Sequence, residues 1–303
     1  TWPWSRKLAM KSSQQGSFFA TSNPGGATVL PLVTWRPRMW NTEPLHAAPV
    51  KITMNKRWIL PFIILLTPTL GYGEERDGRE VVRDAINHWR GLSSYTEMTM
   101  VIHRPDWERS MTMRAWTMGD EHSLVRVVEP KKDRGNGTLT EKKSMWSYSP
   151  KINRVIKVPS SLMGQSWMGS DFSNKDIARA DDIIDEYEHR ILKVEDIDGV
   201  TVYEIESTPH EDAAVVWGRE VLRIREDHVV LEHSFYDQDH VLVKSLKTME
   251  IAEMGGRTIA RRQRMSKADD PDEWTEVAVN DVAYDVELKD SLFTLSNLRN
   301  PRD

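Results

Sequence analysis

Gly164-Gln165-Ser166-Trp167-Met168-Gly169 is the stretch that comes nearest to a nucleophile turn. Such a turn sets its serine two residues from a glycine on either side, after a parallel strand. Here the second glycine is one place too far and no parallel strand leads in, so Ser166 is not expected to act as a nucleophile. His103, His122, His189, His210, His228, His233 and His240 are scattered, without an H-E-x-x-H pair to hold a metal. Asp237-Gln238-Asp239-His240 is the most metal-like cluster, but it falls between two strand patterns and reads as a hairpin turn. Asp181, Asp182, Asp185, Glu186 and Glu188 are expected to form a solvated surface, because nothing near them predicts the burial that shifts a carboxyl pKa. Gly255-Gly256 suits a hairpin better than a phosphate loop. No catalytic residue, metal site or cofactor is expected, and the chain is not read as an enzyme.

The chemistry that remains is apolar and soft. Met98, Met100, Ile102, Met111 and Met113 lie on two neighbouring strand patterns, and Leu162, Met163, Trp167, Met168 and Phe172 lie in a segment with no period. Methionine fills irregular space and tolerates repacking, which suits a surface that accepts alkyl chains. The same residues could equally be ordinary core. A large curved sheet with few helical turns to cover it need not fill its own concave face, and the cavity reading follows from that. Within it, Leu162 to Phe172 is either a lid hinged at Gly164 and Gly169 or a plug.

These residues must be positioned by a helix and a long run of strands. Asp77 to Glu80 has the form of a capping box, and Val81, Val82, Ala85, Ile86 and Trp89 then share one helical stripe that ends at Gly91. From Ser94 the period becomes two. Six strands are expected up to Val158, and seven more from Tyr187 to Val282. Between Pro159 and Glu186 short helices and loops are expected, one capped by Ser173 with Asp176 three residues on. The expected fold is α+β and mainly β: one long antiparallel sheet, strongly twisted or barrel-like, with only a few helical turns to cover its concave face.

Upstream, Met54-Asn55-Lys56-Arg57 is a short basic region, Trp58 to Leu66 is apolar, and Gly71 and Gly73 are small residues two apart. This pattern is a secretory signal peptide over 54–73, too short and too rich in proline to span a bilayer, with cleavage near Gly73. Residues 1–53 are read as an upstream extension, non-native or disordered, and 74–303 as the domain. Of the 41 Lys and Arg and the 46 Asp and Glu, residues 1–73 hold eight and one, so 74–303 carries a net charge of −12. An acidic exported domain is a poor partner for nucleic acid. Without cysteine there is neither a disulfide nor an acylation site after the signal peptide.

Met168-Gly169-Ser170-Asp171-Phe172-Ser173-Asn174-Lys175-Asp176, preceded by Met145-Trp146-Ser147-Tyr148 and Ile156-Lys157-Val158-Pro159, resembles the outer-membrane lipoprotein-sorting proteins, relatives of the periplasmic carrier LolA. Asp285 to Leu298 is similar to that family's closing segment. The resemblance implies a single incomplete, highly curved antiparallel β-barrel with short helices at its mouth and an apolar cavity for acyl chains. It implies a periplasmic carrier of lipid or lipoprotein acyl chains, working between an inner-membrane transporter and an outer-membrane acceptor, and a monomer is expected. A non-catalytic adaptor docked on such a transporter is the alternative.

Overall fold

Alternation of apolar and polar side chains builds most of this chain. The structure, a computed structural model, describes residues 76–213 and 215–301. The expectations for 1–53 and 54–73, cleavage near Gly73 included, lie outside the described residues.

Helix α1 (Gly78–Arg90) comes first. The Asp77 carboxylate caps it by accepting from the Arg79 N–H at 3.1 Å, and Gly91 ends it at φ 70°. Glu80 does not complete the expected box; it faces Arg83 at 3.4 Å instead. Val81, Val82 and Ala85 are buried, but Trp89 is 44 % exposed, against expectation. The last turn is drawn to another strand, where His88 Nε2 meets the Thr258 carbonyl at 2.8 Å.

Strands β1 (Ser93–Arg104), β2 (Trp107–Met118), β3 (His122–Glu129), β4 (Gly137–Glu141), β5 (Ser144–Ser149) and β6 (Arg154–Lys157) form an antiparallel meander. A 3-10 turn (Ser160–Leu162) and helices α2 (Asn174–Ala178) and α3 (Asp182–Glu186) follow. The second run is β7 (Tyr187–Ile197), β8 (Val200–Pro209), β9 (Arg219–Arg225), β10 (Val230–Tyr236), β11 (Leu242–Met254), β12 (Arg257–Lys267) and β13 (Trp274–Tyr284). Pairing of β13 with β1 joins the two runs into one sheet of 13 strands with β6 and β7 as its edges, so it does not close into a barrel. The expected strand β9 starts two residues late, at Arg219. Gly218 passes so close to Asp237 that a Cβ would meet that carbonyl oxygen at 2.2 Å.

Partners across the sheet define its concave face. Ile102, Thr275, Met265, Leu246, His233, Leu222 and Ile205 stand opposite one another in turn from β1 to β8. Helix α1 and Ile183 of α3 cover the β7–β9 part, burying Ile205, Leu222 and Ile224. The segment from Val158 to Ala178 covers the β1–β5 part. On the other face of β3–β5, Phe293 and Leu298 of the closing segment, with helix α4 (Leu295–Arg299), bury Leu124, Leu139 and Tyr148. Leu298 explains Gly137, where a Cβ would lie 2.9 Å from its methyl group.

Candidate functional site

Met98 stands directly opposite Met113, and Met100 opposite Met111, so these four methionines of β1 and β2 form two cross-strand pairs on the concave face. Met100, Ile102, Met111 and Met113 are at most 1 % exposed. They pack against Met163 and Trp167 from the covering segment, with Met98 and Met168 partly buried beside them. The Trp167 indole donates to Thr138 Oγ1 at 3.0 Å. Phe172 is half-buried and outside this cluster, and Leu162 is exposed. Of the ten predicted residues, eight therefore meet in one apolar cluster.

Two hollows adjoin this cluster. One of about 380 Å³ is walled by Met111, Val127, Tyr148 and Met168, with Arg109 and Asn136 at its polar side. The other, of about 290 Å³, is walled by Met145, Ile156, Val158, Leu162, Trp167 and Met168. Met168 and Ser147 line both, so the hollows are neighbours that share these two residues. Met111, Leu162, Trp167 and Met168 are the predicted residues that line them. Met98, Met100, Ile102, Met113, Met163 and Phe172 do not. Met168 adopts φ 53°, a left-handed conformation that costs a non-glycine residue about 1–2 kcal/mol.

The covering segment is tied down by two acids. Asp171, its side chain 1 % exposed, receives both terminal nitrogens of Arg104 at 2.9 and 3.1 Å and the Thr275 hydroxyl at 2.7 Å. Its own N–H donates back to Thr275 Oγ1 at 3.0 Å. Glu273 bridges Arg104 (3.3 Å) and Lys267 (3.1 Å) alongside. Asp176 accepts from the Ser173 N–H at 2.7 Å while Ser173 Oγ accepts from the Asp176 N–H at 3.1 Å, which is the expected capping box. The same Asp176 carboxylate pairs with Lys244 of β11, a buried ammonium set over the Trp217 and Phe235 rings at 5.3 and 4.9 Å. A buried ion pair persists only where further hydrogen bonds satisfy its oxygens, and both acids meet that condition.

The polar residues weighed as chemistry have local partners. Ser166 Oγ donates to the Ser170 carbonyl at 2.6 Å. Asp237 Oδ1 accepts from the N–H groups of Asp239 and Val241, both at 2.9 Å, which makes Asp237 to His240 a turn. Asp185 and Glu188 are exposed as expected, but Asp181 and Asp182 are less solvated. Burial raises the carboxyls of both Asp181 and Asp182 above the usual range, against the opposing pull of Arg90 and Arg179 respectively. The cause is tertiary: α3 is pressed between α1 and the sheet, and Arg90 of α1 pairs with Asp181. A further buried cluster was not foreseen. Glu220 accepts from the Tyr187 hydroxyl and faces His233 Nε2, each at 2.6 Å, with His233 stacked on Phe235. Burial and Glu220 hold the Tyr187 phenol far above its ordinary value, so it stays a donor.

Sequence reasoning also passed over Arg104, Arg109, Lys244 and Ser147. The available signal was the pair of acids Asp171 and Asp176 inside an otherwise apolar segment, since each needs a cation once that segment is buried.

An open antiparallel sheet whose concave face is covered by a helix and an anchored apolar segment defines a LolA-type fold. The chain belongs to a family described as "uncharacterized protein"-like, whose profile matches residues 119–300. Solved structures agree on the fold. A DUF1329 family protein from Desulfovibrio piger is 26 % identical, with 73 % of this chain and 97 % of that one covered at a TM-score of 0.66. A domain from Vibrio parahaemolyticus, named as a candidate outer membrane lipoprotein-sorting protein, is 21 % identical over 74 % and 98 % of the two chains, TM-score 0.65. A LolA superfamily protein from Nitrosomonas europaea is 22 % identical over 73 % and 99 %, TM-score 0.61. No curated protein sequence matches.

Proposed function

We propose that this protein is a non-catalytic periplasmic carrier, brought there by a signal peptide over 54–73, that holds acyl chains of a lipoprotein or another lipid and moves them between the inner and outer membranes. One observation carries the reading: two neighbouring, mainly apolar hollows on the concave face that share Met168 and Ser147, in a fold shared with a protein named for lipoprotein sorting and with a LolA superfamily protein. Their sizes lie near the lower end of the roughly 300–1,000 Å³ typical of small-ligand pockets. An alkyl chain threaded from one to the other would gain about 0.8 kcal/mol for each methylene removed from water. A chain held that firmly is passed directly to an acceptor rather than released into water.

Ser147 is exposed and lines both hollows, on a strand that tolerates aromatic residues. Ser147→Trp should intrude on both and weaken binding of a fluorescent fatty-acyl probe at least tenfold, with the thermal midpoint little changed. Organic extraction of protein purified from its native envelope, followed by mass spectrometry, should release lipid. A lipid-free extract together with a probe that ignores Ser147→Trp would leave the adaptor reading.

A further inference from the structure

In an acidic domain, the end of the sheet at the β3–β4 and β5–β6 turns is cationic. The antiparallel order brings the β1–β2 turn at Pro105-Asp106, the β3–β4 loop from Pro130 to Asn136 and the β5–β6 turn from Pro150 to Asn153 to the same end of their strands. Contacts confirm it: Arg109 meets Asp133 at 3.2 Å, and Gly135 lies against Pro150. Lys131, Lys132, Lys151 and Arg154 are exposed there, and none has a carboxylate at ion-pair distance among the described residues. Arg299 reaches the same turn, donating to Asn153 at 3.0 Å. Of the acids on β1–β6 at this end, Glu108 faces His103, and Glu129 and Asp133 are paired with Arg134 and Arg109, which leaves Asp106. Asp269, Asp270 and Asp272 emerge at the same end in the loop between β12 and β13, beside the β1–β2 turn and on its far side from the lysines. Two large apolar side chains stand at this end, Ile152 at 56 % exposed among the cations and Trp107 at 50 % between them and the β12–β13 loop. The larger hollow has its polar side, Arg109 and Asn136, at this end as well.

Unpaired cations around an exposed isoleucine, with a tryptophan at their edge, fit the surface of a bilayer: phosphate groups take the ammonium and guanidinium groups, and the two apolar side chains enter the headgroup boundary. We infer that this end of the sheet docks on membranes that contain anionic phospholipid, with Trp107 and Ile152 entering the interface. The inference goes beyond cargo binding. Lipid extraction interrogates the hollows alone, so docking can fail while that reading stands.

The chain has no cysteine, so Ile152→Cys and Val194→Cys each give the full-length protein one labelling position, the second on the opposite edge strand β7. Each carries an environment-sensitive fluorophore and is mixed with vesicles of equal parts phosphatidylcholine and phosphatidylglycerol that contain a nitroxide lipid. Quenching is expected at position 152 and not at 194, weakening as salt is raised. Reversal of Lys131, Lys132, Lys151 and Arg154 to Glu should cut the vesicle affinity read at position 152 more than a hundredfold, because each cation near an anionic surface contributes roughly fivefold. All four side chains are exposed, and an unchanged circular dichroism spectrum verifies the fold. Equal quenching at both positions, quenching at neither, or quenching at 152 that survives the charge reversal or persists on pure phosphatidylcholine would overturn the inference.

Discussion

Asp171 and Arg104 meet through two parallel hydrogen bonds of 2.9 and 3.1 Å although 67 residues separate them. The contact joins the end of β1 to the segment that covers the sheet, and it places a carboxylate where water scarcely reaches. Trp167, four residues before Asp171, is held in the core by that attachment and by its own bond to Thr138. The covering segment is therefore anchored from both sides of Phe172, by Asp171 and by Asp176.

Removing the cation should be costly. Arg104→Ala leaves Asp171 buried with the Thr275 hydroxyl and, at 4.0 Å, the half-exposed Lys267 ammonium, neither of which replaces two parallel donors, and breaking such a pair typically costs about 3–5 kcal/mol. Urea unfolding should register a loss of that order. Arg104→Lys should recover only part of it, because an ammonium cannot supply two parallel donors. A loss below about 1 kcal/mol for Arg104→Ala would mean the attachment does not hold the segment.

Trp167→Ala bears on whether the covering segment is a lid or a plug. Trp167 is 5 % exposed among Met100, Ile102 and Met113, so its truncation should cost about 3–5 kcal/mol in chemical denaturation. An unchanged midpoint with lost probe binding would instead identify a movable lid.

Lys244→Met removes the buried ammonium while keeping its apolar stem. Asp176 then keeps the capping bond from Ser173 and loses its charge partner, and a destabilisation of about 3 kcal/mol is expected. Hydrogen exchange should show it locally, as faster exchange of the amides of α2, while the strands β3–β5 stay protected.

The pH profile should carry the signature of His189. Burial holds its imidazole below the ordinary value of about 6.5, so as pH falls the unfolded chain takes up the proton first. The stability that depends on the neutral ring is complete above that pH and is lost progressively below it. Asp181 and Asp182 act with the opposite sign. Their raised carboxyls favour the fold at low pH, an advantage lost as pH rises above the ordinary carboxylate value. Urea midpoints at pH 7.5 and 5.5 should differ, the lower pH being less stable, and His189→Asn should shrink that difference. Ser207, whose hydroxyl lies 2.8 Å from Nδ1, keeps a polar partner in the variant.

Much of the fold was legible in the sequence. Two-residue periodicity located both runs of strands, six and seven, because a strand with one face covered must alternate. Ser173 and Asp176 announced their helix because capping is decided within four residues. The methionines of β1 and β2 could be placed on neighbouring strands in advance, because both runs alternate on either side of one short turn. Trp89, Asp181 and Asp182 were misjudged for one shared reason: a helical stripe or a charge cluster says nothing about which other element will lie over it.

The sequence by itself determined the elements, their order and the apolar chemistry of the covering segment, all of which depend on residues a few places apart. Tertiary structure alone decided that β13 would pair with β1 to make one open sheet, that Arg104 and Lys244 would be the partners of Asp171 and Asp176, and that two hollows would remain beside Met168. Each of these depends on distances between residues far apart in the chain, and on volume left over after packing, which no local pattern encodes.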